Sequence, residues 1–241
     1  MKWIILTGES GGLGLEIATV LLKSGVYGVI GISRRYTPQM KRLKEAHPDA
    51  YIHFDFDLSR PTEIRQLYLE QIKDTAPVYG LVNNAGFAYD DIVTNADPEP
   101  LERMFRINVY SPVMLTKYAI RDMLLHNTQG SIVHITSVSA HTGYKGLSMY
   151  AATKGALESF SRTVAREWGG KGIRSNCVSP GFMETEMSSA LTTEQKDRIY
   201  KRTSLKQPTG IASVAETVEF LLSDKSSSVT GSVIQVDGGT V

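Results

Sequence analysis

Cysteine is almost absent from this chain: Cys177 is the only one in 241 residues, so neither an internal disulfide nor a cysteine metal cluster can form. Charge of one sign is lacking as well. Lys and Arg number 26 against 25 Asp and Glu, a net charge of +1, which is not the basic excess of a nucleic-acid or membrane-surface protein. No apolar run approaches the roughly 18 residues of a membrane span. The opening run, Met1 to Gly8, is too short for a secretory signal. The five histidines have no paired ligand spacing, so no metal is expected. Compositional skew is missing too, at 41% hydrophobic and 21% charged, which excludes disordered, collagen-like and coiled-coil classes. A soluble, cytoplasmic globular protein is expected.

What the chain does have is alternation. Short apolar runs occur at Trp3 to Leu6, Val26 to Ile32, Ala50 to Phe54, Val78 to Val82, Ser131 to Thr136, Ile173 to Val178 and Ser232 to Val236. They lack clean polar alternation and so predict strands buried on both faces. Helices are expected between them, one after Ser59 and Pro61 and a long one from Asp97 and Pro98 to about His126, bent at Pro112. Seven strands alternating with helices predict an α/β fold: one Rossmann-type, doubly wound parallel sheet covered on both faces, forming a single domain over residues 1–241. The long irregular stretches, Asn84 to Ala96, Ser137 to Leu147 and Ser179 to Ser189, each follow the carboxyl end of a strand. Ligands bind at that edge of such sheets.

The first strand runs into Thr7-Gly8-Glu9-Ser10-Gly11-Gly12-Leu13-Gly14, followed by a helix. Glycines between strand and helix permit a tight turn and close approach of backbone to a pyrophosphate. Gly8, Gly12, Gly14 and Gly8, Gly11, Gly14 fit two different dinucleotide patterns. A site for NAD usually places an acid about 20 residues on, at the end of the second strand. Here that position is Arg34, within Ser33-Arg34-Arg35, and no acid occurs between Glu16 and Glu45. Guanidinium groups bind a 2′-phosphate where a carboxylate would repel it, so NADP (NADPH) is the expected cofactor.

Tyr150 and Lys154 stand four residues apart at the start of a predicted helix and share one face. An ammonium beside a phenol should lower its pKa and make it a general acid–base. Ser137 lacks the Gly-x-Ser-x-Gly elbow of a hydrolase, so His134 and His141 are expected to be structural. Cys177 reads as a small core residue. Phe182, Met187 and Tyr144 are candidates to line a substrate pocket.

Taken together, these motifs resemble the short-chain dehydrogenase/reductase family, from Thr7 to Gly239. The resemblance rests on the glycine loop, on Asn83-Asn84-Ala85-Gly86 after the fourth strand and on Asn108 in the long helix. It rests also on Ser137, 13 residues before Tyr150, on Pro180-Gly181 after the sixth strand and on Asp237-Gly238-Gly239 after the seventh. The short length points to the family's compact branch, and with it to Gly8, Gly12 and Gly14.

The resemblance implies roles. Tyr150 would protonate a carbonyl oxygen, Ser137 would position that oxygen, and Lys154 would hold the nicotinamide ribose and keep the tyrosine pKa low. Asn108 would hold a water linking Lys154 to solvent. Further cofactor contacts would come from Ser10, Leu13, Asp57, Leu58, Asn84, Ala85, Gly86, Pro180, Gly181, Met183 and Thr185. A homotetramer is implied, with Met104, Tyr110, Met114 and Phe160 as interface candidates. Pro180 to Met187 looks most like the β-ketoacyl-(acyl-carrier-protein) reductases of fatty-acid biosynthesis, which dock an acidic carrier protein. Lys171 offers one cation for that, whereas Thr128-Gln129-Gly130 offers none. A dehydrogenase or reductase of small alcohols, ketones or sugars is the alternative; a non-catalytic dinucleotide sensor would lack one of Ser137, Tyr150 and Lys154.

Overall fold

Alternate residues of the first strand face opposite sides of the sheet, and both sides are dry. Ile4 and Leu6 pack in one core and Ile5 in the other, which is why the run is continuously apolar. The computed structural model describes residues 1–185 and 192–240. Its strands are β1 (Lys2–Thr7), β2 (Tyr27–Ser33), β3 (Tyr51–Asp55), β4 (Val78–Asn83), β5 (Ser131–Ile135), β6 (Arg174–Pro180) and β7 (Val233–Val236). They form one parallel sheet in the order β3-β2-β1-β4-β5-β6-β7. Each strand overlaps the apolar run that predicts it.

The helices are α1 (Gly12–Lys23), α2 (Pro38–Ala46), α3 (Ile64–Leu67), α4 (Pro98–Phe105), α5 (Ser111–Leu125), α6 (Ser148–Trp168), α7 (Thr193–Tyr200) and α8 (Ile211–Leu222). α1, α2 and α8 supply the core on one face through Ile17, Leu21, Met40, Val218 and Leu222. α3, α5 and α6 supply the other through Ile64, Leu115, Ala119 and Val164. None of the described helices is long and apolar enough to cross a membrane.

Pro112 does not simply bend a continuous helix. Asp97 caps α4 by accepting from Glu99 N at 3.0 Å, and the helix then widens into a π turn over Arg106–Tyr110 before α5 resumes with Pro112 in its first turn. Proline has no N–H to give the carbonyl four residues back, which is that of Asn108. The irregularity therefore falls on a predicted site residue, as π turns often do.

The order of strands changes direction between β2-β1 and β4-β5, so the loops after β1 and β4 part and leave a crevice at the carboxyl edge. Asn84 holds that crevice in shape. Its N–H donates to Thr7 Oγ1 at 3.0 Å, and its Nδ2 donates to the Thr7 and Gly8 carbonyls at 2.9 and 3.3 Å. Gly14 closes the same junction. A Cβ there would overlap the Gly8 carbonyl oxygen and lie 2.6 Å from Asn84 Nδ2. Gly14→Ala is expected to cost about 1–3 kcal/mol by overpacking against backbone, and thus roughly 2–4 °C in Tm per kcal/mol. Dinucleotide binding should fall with it, because the displaced atoms are the loop itself. A thermal melt and a cofactor titration check this; an unchanged Tm and affinity would contradict it.

Candidate active site

Six loops at the carboxyl edge bring the predicted residues together. The glycine loop is cut for a pyrophosphate. Gly8 has φ +75° and Gly12 φ +52°, and α1 starts without a side-chain cap or an acid in its first turn. Its first N–H groups and its dipole thus suit an anion. Thr185 stands against Gly12, since a Cβ there would lie 3.7 Å from Thr185 Cγ2. Met183 packs on the core beside α1. Gly181, after β6, donates to the Val236 carbonyl at 2.9 Å, and a Cβ on it would lie 2.8 Å from Asp237 Cα. These residues fit a dinucleotide cradle.

At the end of β2, Ser33 is buried while Arg34 and Arg35 are exposed. Asp57, after β3, accepts from Ser59 N at 2.9 Å. Burial pushes its carboxyl pKa up, but the Ser59 hydrogen bonds and the charges of Arg34 and Arg103 outweigh that and lower it. Leu58 is buried beside it, with its carbonyl accepting from Ser111 Oγ at 2.6 Å.

The catalytic candidates converge from β5, α6 and the π turn. Lys154 is 3% exposed, and its Nζ donates to the Ile135 carbonyl at 2.9 Å. Burial drives its pKa down to about 8. Tyr150 shares its helix face, with the Lys154 Nζ 5.5 Å from the ring centroid. Ser137 Oγ accepts from Ser139 N at 3.2 Å, which fixes the oxygen and leaves its proton to donate. A Cβ on Gly86 would lie 3.5 Å from Lys154 Nζ, so the absent side chain leaves room in front of the ammonium.

One expectation is corrected here. The tyrosine pKa is not lowered: burial, then the charge of Asp90, push it up to about 12, with only a hydrogen bond from Ser137 opposing them. The ammonium lies over the ring and bonds the Ile135 carbonyl, so it does not face the hydroxyl directly. Asn108, 1% exposed, is held through its side chain by protein partners. Its Oδ1 accepts from Phe87 N at 2.8 Å, and its Nδ2 donates to the Phe87 carbonyl at 2.8 Å and to Thr153 Oγ1 at 3.0 Å.

Other candidates fall where their chemistry allows. His134 is buried in the core, with Nδ1 3.1 Å from Asn83 Nδ2 and its ring edge-on to Phe160. Burial and the Lys154 charge hold its pKa down to about 3. His141 Nε2 pairs with Glu158 Oε1 at 2.9 Å, and Cys177 is fully buried. Phe182 packs on Tyr200 with ring centroids 5.9 Å apart, and Tyr144 is half-buried in the loop after β5; Met187 lies outside the described residues. Met104 is fully buried, and Met114 and Phe160 pack against the core, so three of the four interface candidates face inward. Tyr110 alone presents an exposed ring, at 52%. Lys171 directly precedes β6, at the amino edge of a parallel sheet, and so does not border this site within one chain.

Thr7, Thr153 and Asp90 were not legible as site residues. Thr7 Oγ1 accepts from both Asn84 N and Ala85 N at 3.0 Å, and Thr153 links Asn108 to the Tyr150 carbonyl, to which it donates at 2.8 Å. The one signal available was the spacing of Thr153, three residues after Tyr150 and one before Lys154.

A family model described as Enoyl-(Acyl carrier protein) reductase matches residues 8–241. L-xylulose reductase of Caenorhabditis elegans is 33% identical over 242 residues, covering 99% of this chain and 95% of its own. The 3-oxoacyl-(acyl-carrier-protein) reductase of Buchnera aphidicola is 33% identical over 234 residues, covering 97% and 95%. Among solved structures, ElxO with NADP bound superposes with a TM-score of 0.89 at 26% identity, covering 99% and 98%. Identity of this extent, along nearly the whole of both chains, goes beyond a shared fold: the protein belongs to the short-chain dehydrogenase/reductase family, oxidoreductases that act on CH–OH groups.

Proposed function

We propose that the protein is an NADPH-dependent reductase that converts a ketone to a secondary alcohol, with a 3-oxoacyl thioester carried by an acyl carrier protein as the first candidate substrate. The observation that carries the reading is the buried Lys154 ammonium under Tyr150, with Ser137 Oγ fixed beside them. When bound, NADPH supplies the hydride that reaches the carbonyl carbon. Ser137 donates to the carbonyl oxygen and holds it. Tyr150, which burial and the Asp90 charge keep protonated at neutral pH, gives that oxygen its proton. Lys154, with open space before it at Gly86, would hold the nicotinamide ribose. Reprotonation of Tyr150 would draw a solvent proton by way of Lys154, with a water held near Asn108 as the link.

NADPH is preferred in this reading because Arg34 and Arg35 stand where an acid would select NAD, and ElxO, solved with NADP, supports it as a structural relative. Ser10, Leu13, Asp57, Leu58, Asn84, Ala85 and Pro180 complete the proposed cofactor contacts. The carrier-protein form of the substrate rests on the Buchnera relative. A small ketone or sugar is the second reading, favoured by the L-xylulose reductase relative and by the Asp90 charge acting on Tyr150, which suits a substrate bearing hydroxyls. Assembly is proposed as a homotetramer of D₂ symmetry through α4, α5 and α6; exposed Tyr110 and Leu125, at 52% and 69%, are candidates for its contacts.

A panel of acetoacetyl thioester, L-xylulose and small ketones, each with NADPH and NADH, tests the reading. Turnover with NADPH of at least one is expected. Arg34→Asp should weaken NADPH by about tenfold or more while sparing NADH. Reduction of sugars alone would remove the thioester substrate, and equal or better use of NADH would remove the cofactor assignment. The pH profile offers a separate check. Because Lys154 loses its charge around pH 8, the reduction rate with NADPH should fall as pH rises above neutral and be about halved near pH 8. A rate that rises through that range would contradict the charged-lysine role.

A further inference from the structure

The acid missing from the end of β2 is present in space, supplied by the glycine loop. Glu9 is 0% exposed and turns under β2, where a Cβ on Gly31 would overlap its carboxylate. Its Oε1 lies 2.7 Å from His53 Nδ1 and 3.4 Å from Ser33 Oγ. Its Oε2 is buried with no close hydrogen bond among the described residues, and the buried Tyr51 hydroxyl is the donor turned toward the carboxylate. The Ser33 hydroxyl also reaches the Arg35 carbonyl at 3.2 Å, so the cluster abuts the arginine loop. His53 Nε2 pairs with Asp55 Oδ1 at 2.9 Å, and its side chain is only 8% exposed. A carboxylate buried this deeply is best compensated by a cation, and the imidazole, 2.7 Å away, is the group placed to be one.

We propose that the Glu9–His53 pair is a specificity-determining element, which sets how strongly the end of β2 distinguishes a dinucleotide bearing a 2′-phosphate from one without it. This rests on the NADPH reading above. With His53 protonated the pair is neutral, and a 2′-phosphate meets only Arg34 and Arg35. With His53 neutral, Glu9 is an uncompensated anion directly behind Ser33 and opposes the phosphate. The groups facing the imidazole are Glu9 from the glycine loop, Asp55 on its own strand, and Tyr36, whose ring lies 5.2 Å away. Tyr51 lies against Glu9, and the Arg35 main-chain carbonyl against Ser33. Burial lowers the His53 pKa, but the hydrogen bonds and charges of Glu9 and Asp55 outweigh it and raise it above 6.5.

The sign follows. His53 holds its proton below that raised pKa and loses it as pH climbs through it, so preference for NADPH over NADH should fall with rising pH. Arginines acting alone would do the reverse, because the phosphate gains its second charge near pH ~6. Deprotonation of Lys154 affects both cofactors alike and cancels in the ratio.

The experiment measures the Kd of NADPH and of NADH for the full chain from pH 6 to 9, by fluorescence titration. In the unmodified protein the preference is expected to fall by about three- to tenfold, the effect of one unit charge through partly screened protein. Glu9→Gln should hold the high, low-pH preference throughout. His53→Asn, which keeps a donor at the Nδ1 position but leaves Glu9 charged, should show the low preference at every pH. A preference in the unmodified protein that is constant or rises with pH overturns the proposal, whether or not either variant folds; so does one equal in all three proteins. Tighter binding of NADH throughout would refute the NADPH reading alone, since the pH slope and the opposed variants remain readable.

Discussion

Everything at the candidate site depends on keeping one ammonium group dry. Lys154 is buried to 3% exposure and gives one hydrogen bond, to the Ile135 carbonyl, at 2.9 Å. Among the described residues no carboxylate pairs with it, and burial brings its pKa down to about 8. A buried cation on those terms is costly, and the surrounding structure is arranged to tolerate it. Asn108 clamps the Phe87 backbone and Thr153 in place around it, and His134 beneath stays uncharged. A charged histidine there would add a second cation to the same dry volume.

The π turn belongs to the same constraint. Asn108 must reach both the loop after β4 and the start of α6, and a regular α-helix ending at Pro112 would leave its carbonyl unpaired in any case. Widening the helix over Arg106–Tyr110 places the side chain where Phe87 and Thr153 can satisfy it. The site is thus assembled from the ends of β4 and β5, from α6 and from one irregular turn, each fixed by hydrogen bonds a few residues from the reacting groups.

The sheet was legible because burial on both faces turns each strand into an uninterrupted apolar run, as Ile4, Ile5 and Leu6 show. The glycine loop, Ser137, Tyr150 and Lys154 were legible because their spacing within one segment is local. What escaped was set by contacts distant in sequence. Met104 looked like a surface methionine until the turn of α4 buried it. Lys171 looked like a docking charge, yet a residue before a parallel strand lies on the edge opposite the site. The acid absent from the end of β2 came from Glu9, which reaches His53, 44 residues away along the chain. The tyrosine pKa could not be read from a four-residue spacing, since burial and Asp90 outweigh it.

The claim on which the rest stands is that Tyr150 delivers the proton while Lys154 holds the cofactor, and Tyr150→Phe separates the two. Single-turnover reduction with saturating NADPH should slow by about 10²–10⁴-fold, the usual worth of a positioned general acid, while the Kd for NADPH stays within a few-fold. Loss of NADPH binding in parallel with the rate, or retention of more than about a tenth of the rate, would contradict it.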